Sequence, residues 1–529
     1  MSAVIVLSFV GFTALVAILS WYKTRDDKVD TQDGYFLGGR SLTGVFIGGS
    51  LMLTNLSTEQ VVGLNGQAYN NTMALMAWEI TAAFALVCMA LIFLPRYLKS
   101  GITTIPDFLE ERYDKKTRQI ISVLFLIGYA ATYLPTVLYS GALVLVKLFN
   151  IPEVFGIGEI PALWITVWAI GIIGSIYAIF GGLKAVAVSD TFNGVGLIIG
   201  GLLIPILGLV KLGGGSFTAG INQLVTAHPE KLNAIGGANS PMPWPVLFTG
   251  LTFNNLFYWC TNQSIIQRTL GAKNLKEGQK GVLFAGFLKL WGPLFLVLPG
   301  IIAFNLYGNS ISNADMAYPT LVLDVLPRPL AGFFAAVLFG AILSSFNSAL
   351  NSSVTLFTLD IYKPTINPTA TDERVVKVGK RFGICLAIAS MIIAPFILYA
   401  PSGLFVYLQE CFGFYNIPIL AAVMVGFFSK KVPAIAPKIA LVVHIILYGT
   451  SKFVARDIHF LHVLFVLFIV SVSLMILIGK IRPRETDYVQ KYTKQVDITP
   501  WNYAKPVSVF ICIMILVIYA FFSNIGIAA

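Results

Sequence analysis

Apolar residues occur along this chain in long blocks. Fourteen approach or exceed a bilayer's thickness, roughly at 2–21, 43–69, 73–95, 119–148, 162–181, 186–210, 244–267, 281–307, 329–362, 382–399, 403–427, 432–451, 460–479 and 506–525. About 20 apolar residues cover the hydrocarbon core, so the pattern predicts fourteen membrane-crossing helices. Two blocks carry polar side chains where a span should be most apolar. In the stretch Leu51–Gln60, Thr54, Asn55, Ser57, Thr58, Glu59 and Gln60 arrive almost together; a second cluster runs from Asn254 to Gln263. A bilayer tolerates such groups only where they face protein or line a cavity. They also compete for backbone hydrogen bonds. Both blocks are therefore predicted to be broken helices, the arrangement that marks the binding site of a secondary transporter.

Composition supports a membrane domain occupying nearly the whole of the 529 residues: 57% are hydrophobic and 12% charged, with a mean hydropathy of +0.80. The net charge of +11 would suit a nucleic-acid partner, but its placement gives it another meaning. With the N-terminus outside, 29 of the 36 Lys and Arg fall in inside loops or inner span ends and six in outside ones; Lys289 alone lies deep in a span. The positive-inside rule thus puts both termini outside, and the basic excess is a topology signal. The first span starts uncharged and ends in Trp21-Tyr-Lys-Thr-Arg, so it is read as an anchor and not a cleaved signal. The five cysteines and four histidines form no disulfide framework or metal motif.

Between the spans, Ile105–Tyr113 reads as an amphipathic helix with Phe108 and Leu109 at the membrane interface. Gly181-Gly182 predicts a tight turn, Gly213-Gly-Gly-Ser a flexible start to the longest outside connection, and Arg482–Pro506 a polar cytoplasmic segment. Pro401-Ser-Gly403 separates the tenth and eleventh spans, and the last three spans read as scaffold.

Glu79, Gln60, Asn255, Lys289 and Gln409 supply donors and acceptors within spans but no nucleophile–base pair. That set suits a neutral polyhydroxylated molecule, whose hydroxyls each donate and accept. Tyr258, Trp259, Trp78, Phe405 and Leu64 offer apolar faces around it, although side chains of this kind also pack helices or face lipid. Ser344 and Ser345 follow Ala341 by three and four residues on one helix face. Serines in membrane helices usually bond back to their own backbone. Beside an unwound segment at Leu53–Leu56, however, their hydroxyls and free carbonyls make an oxygen site fit for sodium. Asp190 is either a charge on the cytoplasmic ion path or an ordinary helix end.

The chain closely resembles the sodium/solute symporters, in the sodium/glucose branch that includes bacterial sodium/galactose carriers. The resemblance rests on Asp33-Gly-Tyr-Phe-Leu-Gly-Gly-Arg-Ser-Leu, Asn55-Leu-Ser-Thr-Glu-Gln, Ile105–Tyr113, Tyr177-Ala-Ile-Phe-Gly-Gly-Leu, Tyr258-Trp-Cys-Thr-Asn-Gln-Ser-Ile-Ile-Gln-Arg-Thr-Leu, Phe287-Leu-Lys-Leu, Ser344-Ser and Leu350-Asn-Ser. It implies an all-α LeuT-type fold of two five-helix inverted repeats, here 41–210 and 244–427. One helix and loop (1–40) precede them and further helices follow (428–529), in one transporter domain. It implies sugar contacts at Gln60, Glu79, Asn255, Lys289 and Gln409, an inner gate at Tyr258, and Leu64, Trp78 and Phe405 around the sugar. Sodium is expected between the carbonyls of Leu53, Leu56 and Ala341 and the hydroxyls of Ser344 and Ser345, with Asp190 on its exit route.

The chain departs from the galactose-carrier pattern at Trp78, where that carrier has tyrosine, and at Ala82, where it has serine, with Thr81 adjacent. Asn347 and Ser348 match a second sodium site of some relatives only in part. The expectation is therefore a sodium-driven hexose importer of the bacterial inner membrane, whose partners are the sugar, sodium and the lipid bilayer, with no nucleic acid. The alternatives are a sodium symporter for sialic acid, proline or another organic acid, or a sugar sensor or channel that does not transport. No catalytic pair or cofactor motif points to an enzyme.

Overall fold

A computed structural model describes residues 3–26, 30–399 and 404–528, and the side chains of Tyr177, Phe180, Leu404 and Phe405 are also outside its described part. The Pro401–Gly403 connection therefore lies outside the described residues, as does the Phe405 side chain. Helices account for every named element among the described residues. Ten are long and apolar enough to cross a membrane, and two further spans are bent pairs, Leu275–Lys289 with Gly292–Tyr307 (52°) and Val406–Phe412 with Asn416–Phe428 (48°). The remaining two apolar blocks form the broken helices.

The elements that position the site are α1 (Ala3–Thr24), α2 (Gly44–Asn55), α3 (Thr58–Asn70), α4 (Ala77–Cys88), α5 (Ile105–Arg112), α6 (Leu134–Phe149), α7 (Glu159–Leu212), α8 (Gly250–Cys260), α9 (Gln263–Leu270), α10 (Leu275–Lys289), α11 (Arg328–Thr355), α12 (Leu404–Phe412) and α13 (Asn416–Phe428). Helix α11 is the hub: it packs along α7, α1 and α6. Helix α2 lies between α7 and α10, and α8 packs on α4.

The first broken helix stops where its polar cluster predicts. The Leu56 N–H still bonds to the Met52 carbonyl, and the ladder restarts with Gln60 and Val61 N–H groups on the Ser57 carbonyl. Leu56 (φ −81°, ψ 55°) and the extended Ser57 make the break. In the second, α8 continues through most of its polar cluster. It ends at Cys260, because Asn262 turns extended and caps α9 by accepting from the Ser264 N–H. The interruption therefore falls near the end of the cluster, at Thr261–Asn262.

Close helix approach fixes one side of the bundle. A Cβ on Gly48 of α2 would stand 2.6 Å from the Phe284 ring and 2.9 Å from the Gly281 carbonyl of α10. Small residues allow such backbone approach in membranes. The two N-termini are also joined, since Glu277 accepts from the Gly44 N–H at 2.8 Å. Gly182 (φ 65°) breaks α7 into two antiparallel spans, the turn expected at Gly181-Gly182.

One connection differs from expectation, and two others gain detail. Phe108 and Leu109 of α5 are fully buried, not interfacial. Phe108 packs on Phe427 at 4.8 Å between ring centres. Arg112 reaches past it to the carbonyls of Gly426, Ser429 and Val432, at 3.1, 2.7 and 3.1 Å. Gly426 lies in the last turn of α13, Ser429 caps it and Val432 lies in the loop beyond; such carbonyls need external donors, which the sequence alone does not identify. The long connection after Gly213–Ser216 contains a helix, Phe217–Ala227. Residues 482–503 form an extended strap that bonds to Lys431 through the Arg484 N–H, to Lys99 through the Thr493 N–H, and from the Asp497 carbonyl to Leu275.

Candidate substrate cavity and cation site

Glu79 lies in the first turn of α4 and Lys289 in the last turn of α10. The Lys289 charge meets the favourable end of its helix dipole. Both are buried, and the Lys289 ammonium stands 2.5 Å from Glu79 Oε2. The other carboxylate oxygen, Oε1, accepts from the Gln60 amide. Lys289 also donates to the Asn55 side chain and lies 5.2 Å from the Trp259 ring centre. Glu79 is thus satisfied on both oxygens, and it is the counter-ion of Lys289.

A cavity of about 500 Å³ of empty space, counted to its mouth, opens beside this pair. Among the predicted residues, Gln60, Glu79, Asn255, Gln409, Tyr258 and Trp78 line it together. They come from α3, α4, α8 and α12, so the cavity joins the two broken helices. Lys289 is one layer behind, acting on the wall through Glu79 and Asn55. Leu64 is fully buried in helix packing and is not among the lining residues. Asn255 donates to the Thr81 hydroxyl at 2.6 Å, and Ala82 forms part of the wall. The hydroxyl adjacent to Ala82 therefore positions an amide instead of facing the cavity. Gln409 accepts from Asn254 at 3.2 Å, and Asn254 in turn accepts from Asn416 at 2.5 Å.

Tyr258 stacks edge-on to Trp259, with ring centres 5.3 Å apart. It lines the cavity together with Asn55 and Tyr133. Tyr133, Phe412, Asn254 and Glu59 complete the wall, none of which was assigned a site role from sequence. Trp78 also lines a second, wider cavity with Gln67, Glu410, Tyr448, Lys452 and His459. Its indole is thus the partition between the two.

The serine pair lies against the break of α2. Helix ends leave the last four carbonyls without intrahelical partners, here those of Leu53, Thr54, Asn55 and Leu56. Ser345 donates to the Thr54 carbonyl at 2.9 Å. The Thr54 hydroxyl lies 3.3 Å from that of Ser344 and 3.1 Å from that of Ser348. Ala341 is one turn earlier on α11 and fully buried. Asp190 belongs to the same buried cluster: Ser50 donates to it at 2.6 Å. Ser50 accepts from Arg268 Nε at 2.8 Å, and Arg268 also donates to Ser348. Hydroxyls and carbonyls dominate the cluster, a donor set suited to a hard monovalent cation. Thr54, Ser50 and Arg268 were missed as members because a single threonine, serine or arginine in a polar stretch carries no signal of its partner.

A sequence profile described as "Sodium:solute symporter family" matches residues 35–437. The chain is 51% identical to the "Uncharacterized symporter YidK" of Escherichia coli over 527 residues, covering 99% of this chain and 92% of that one. It is 36% identical to the "Sodium/glucose cotransporter" of Vibrio parahaemolyticus, covering 82% of each. Among solved structures, a Na+-coupled sialic acid symporter in a substrate-bound outward-open state matches with a TM-score of 0.78. That match is 23% identical and covers 92% of this chain and all of that one. At that identity the match speaks to the fold.

Proposed function

The chain belongs to the sodium:solute symporter family, and from that premise we propose that it imports a neutral polyhydroxylated solute, a hexose, by alternating access. Sodium is the co-transported ion. The observation that carries the sugar reading is the internal neutralisation of the cavity's ion pair. Glu79 and Lys289 cancel one another at 2.5 Å, while Gln60, Asn255 and Gln409 offer amides that donate and accept. Such a wall suits hydroxyls. An organic anion would find no uncompensated arginine or lysine among the lining residues.

Coupling follows from two consecutive residues. Thr54 presents its carbonyl to Ser345, and Asn55 presents its side chain to Lys289. Sodium bound by the hydroxyls of Ser344 and Ser345 and the carbonyls of Leu53, Leu56 and Ala341 would hold the end of α2. Holding that end orders Asn55, Lys289, Glu79 and Gln60 around the sugar. Each ligand then favours the other, as linkage requires. The Lys and Arg distribution supports termini outside and the wider cavity beyond Trp78 as the outer vestibule. Sodium would leave inward past Asp190, with Tyr258 as the inner gate. Residues 41–210 and 244–427 serve as the two inverted repeats.

Intrinsic fluorescence tests the reading, because Trp78 and Trp259 both line the cavity. Galactose or glucose should change the emission saturably in sodium and not in potassium. No response to any hexose in sodium would overturn it.

A further inference from the structure

Two carboxylates line the substrate cavity, Glu79 and Glu59, and they are balanced differently. Glu79 has both oxygens engaged, one by the Gln60 amide and one by the Lys289 ammonium. Glu59 is only 4% exposed, yet its Oε2 has no hydrogen-bond partner. The hydroxyls beside it on α3 and α6 belong to Ser57 and Ser140. Among the described residues no ammonium or guanidinium pairs with Glu59; the cation that serves the wall is already bound to Glu79.

Position explains how this group is held. Glu59 is the second residue of α3, whose N-cap is Ser57. The N-terminus of that helix section faces it, and such ends favour negative charge. The Ser57 and Thr58 hydroxyls are likewise buried without partners. Unmet polar groups inside a protein are rare, and each costs free energy unless a ligand or water meets it. Here they cluster where a broken helix restarts, and Glu59 among them lines the cavity. Aromatic faces of Trp78, Tyr133, Tyr258, Trp259 and Phe412 enclose the same space, and such faces attract cations.

We infer that Glu59 is a specificity-determining residue of this cavity: its free oxygen receives a hydrogen-bond donor of the solute, and in its ionised form it admits neutral and amino-bearing sugars while rejecting carboxylate-bearing ones. The inference rests on the sugar-transport reading above and deepens it. A hydroxyl or ammonium hydrogen satisfies Oε2. A uronate or other carboxylate would meet like charge with no free cation to offset it.

The test compares a neutral hexose (galactose), an amino sugar (galactosamine) and a uronic acid (galacturonate) on the full-length protein at pH 8, in sodium, by tryptophan fluorescence and thermal shift. The wild type should bind the first two and not the third. Glu59→Gln keeps size and replaces the charge. It should weaken galactosamine relative to galactose about tenfold or more, the scale of one charged hydrogen bond, and admit galacturonate. A Glu59→Asp variant, which keeps the charge, should retain the wild-type order of preference. Sodium-dependent stabilisation of each variant reports that it is folded. Galactose binding with an unchanged galactosamine-to-galactose ratio in Glu59→Gln overturns this inference alone. Galacturonate binding by the wild type also overturns it. Failure of the wild type to bind any of the three sugars overturns the sugar reading and this inference with it.

Discussion

The Ser345 hydroxyl donates to the Thr54 carbonyl at 2.9 Å, across 291 residues of sequence. The bond ties the middle of α11 to the frayed end of α2, where a bound sodium ion would share the Ser345 hydroxyl. Ser345→Ala removes both the tie and one ion ligand. Sodium affinity should fall about tenfold or more, read as a rightward shift in a sodium-titrated thermal unfolding curve. An unshifted curve would remove Ser345 from the cation site.

The Glu79–Lys289 pair has a structural and a functional share, which substitutions can separate. Lys289→Met alone leaves a buried carboxylate uncompensated and should cost about 3–5 kcal/mol. The double variant Glu79→Gln, Lys289→Met removes both charges and should regain most of that stability. Sugar binding should stay lost in both. Full sugar binding by the double variant would show that the pair only supports the fold.

Arg112 should matter to folding and not to transport. Its guanidinium serves three carbonyls in the last turn of α13 and the loop that follows. Arg112→Ala should destabilise by about 3 kcal/mol or more, since several buried acceptors lose their donor together. Uptake per folded molecule should match the wild type. Thermal unfolding and uptake normalised to folded protein provide the two readouts.

Gly48 tests the close approach of α2 and α10. Gly48→Ala would put its new methyl against the Phe284 ring and the Gly281 carbonyl and should cost about 1–3 kcal/mol. Gly11→Ala in α1, where nothing lies within 4 Å of an added Cβ, should leave the unfolding temperature unchanged. Equal behaviour of the two variants would argue against tight packing at Gly48.

Hydropathy made the spans legible, since a bilayer demands long apolar helices whatever their partners. The polar cluster at Thr54–Gln60 marked the first break, because the backbone there loses its ladder among competing side chains. The second cluster, Asn254–Gln263, misled by several residues. There Asn254 and Asn255 are satisfied by Gln409, Asn416 and Thr81, so the helix need not open until Asn262. Lys289 was legible as the one cation deep in a span, because a charge there stands out against apolar neighbours. The roles of Arg112, Arg268 and Glu59 were not, since each depends on groups a hundred or more residues away or on the shape of a cavity. Phe108 and Leu109 failed for the same reason: an amphipathic pattern looks alike whether its apolar face meets lipid or a neighbouring helix.

Proteoliposome uptake of a radiolabelled hexose, under an inward sodium gradient against an equal potassium gradient, tests sodium-driven import most directly. The account predicts transient accumulation above the outside concentration in sodium, none in potassium, and none in sodium with Ser345→Ala. Uptake that merely equilibrates, or that is the same in potassium, would contradict it.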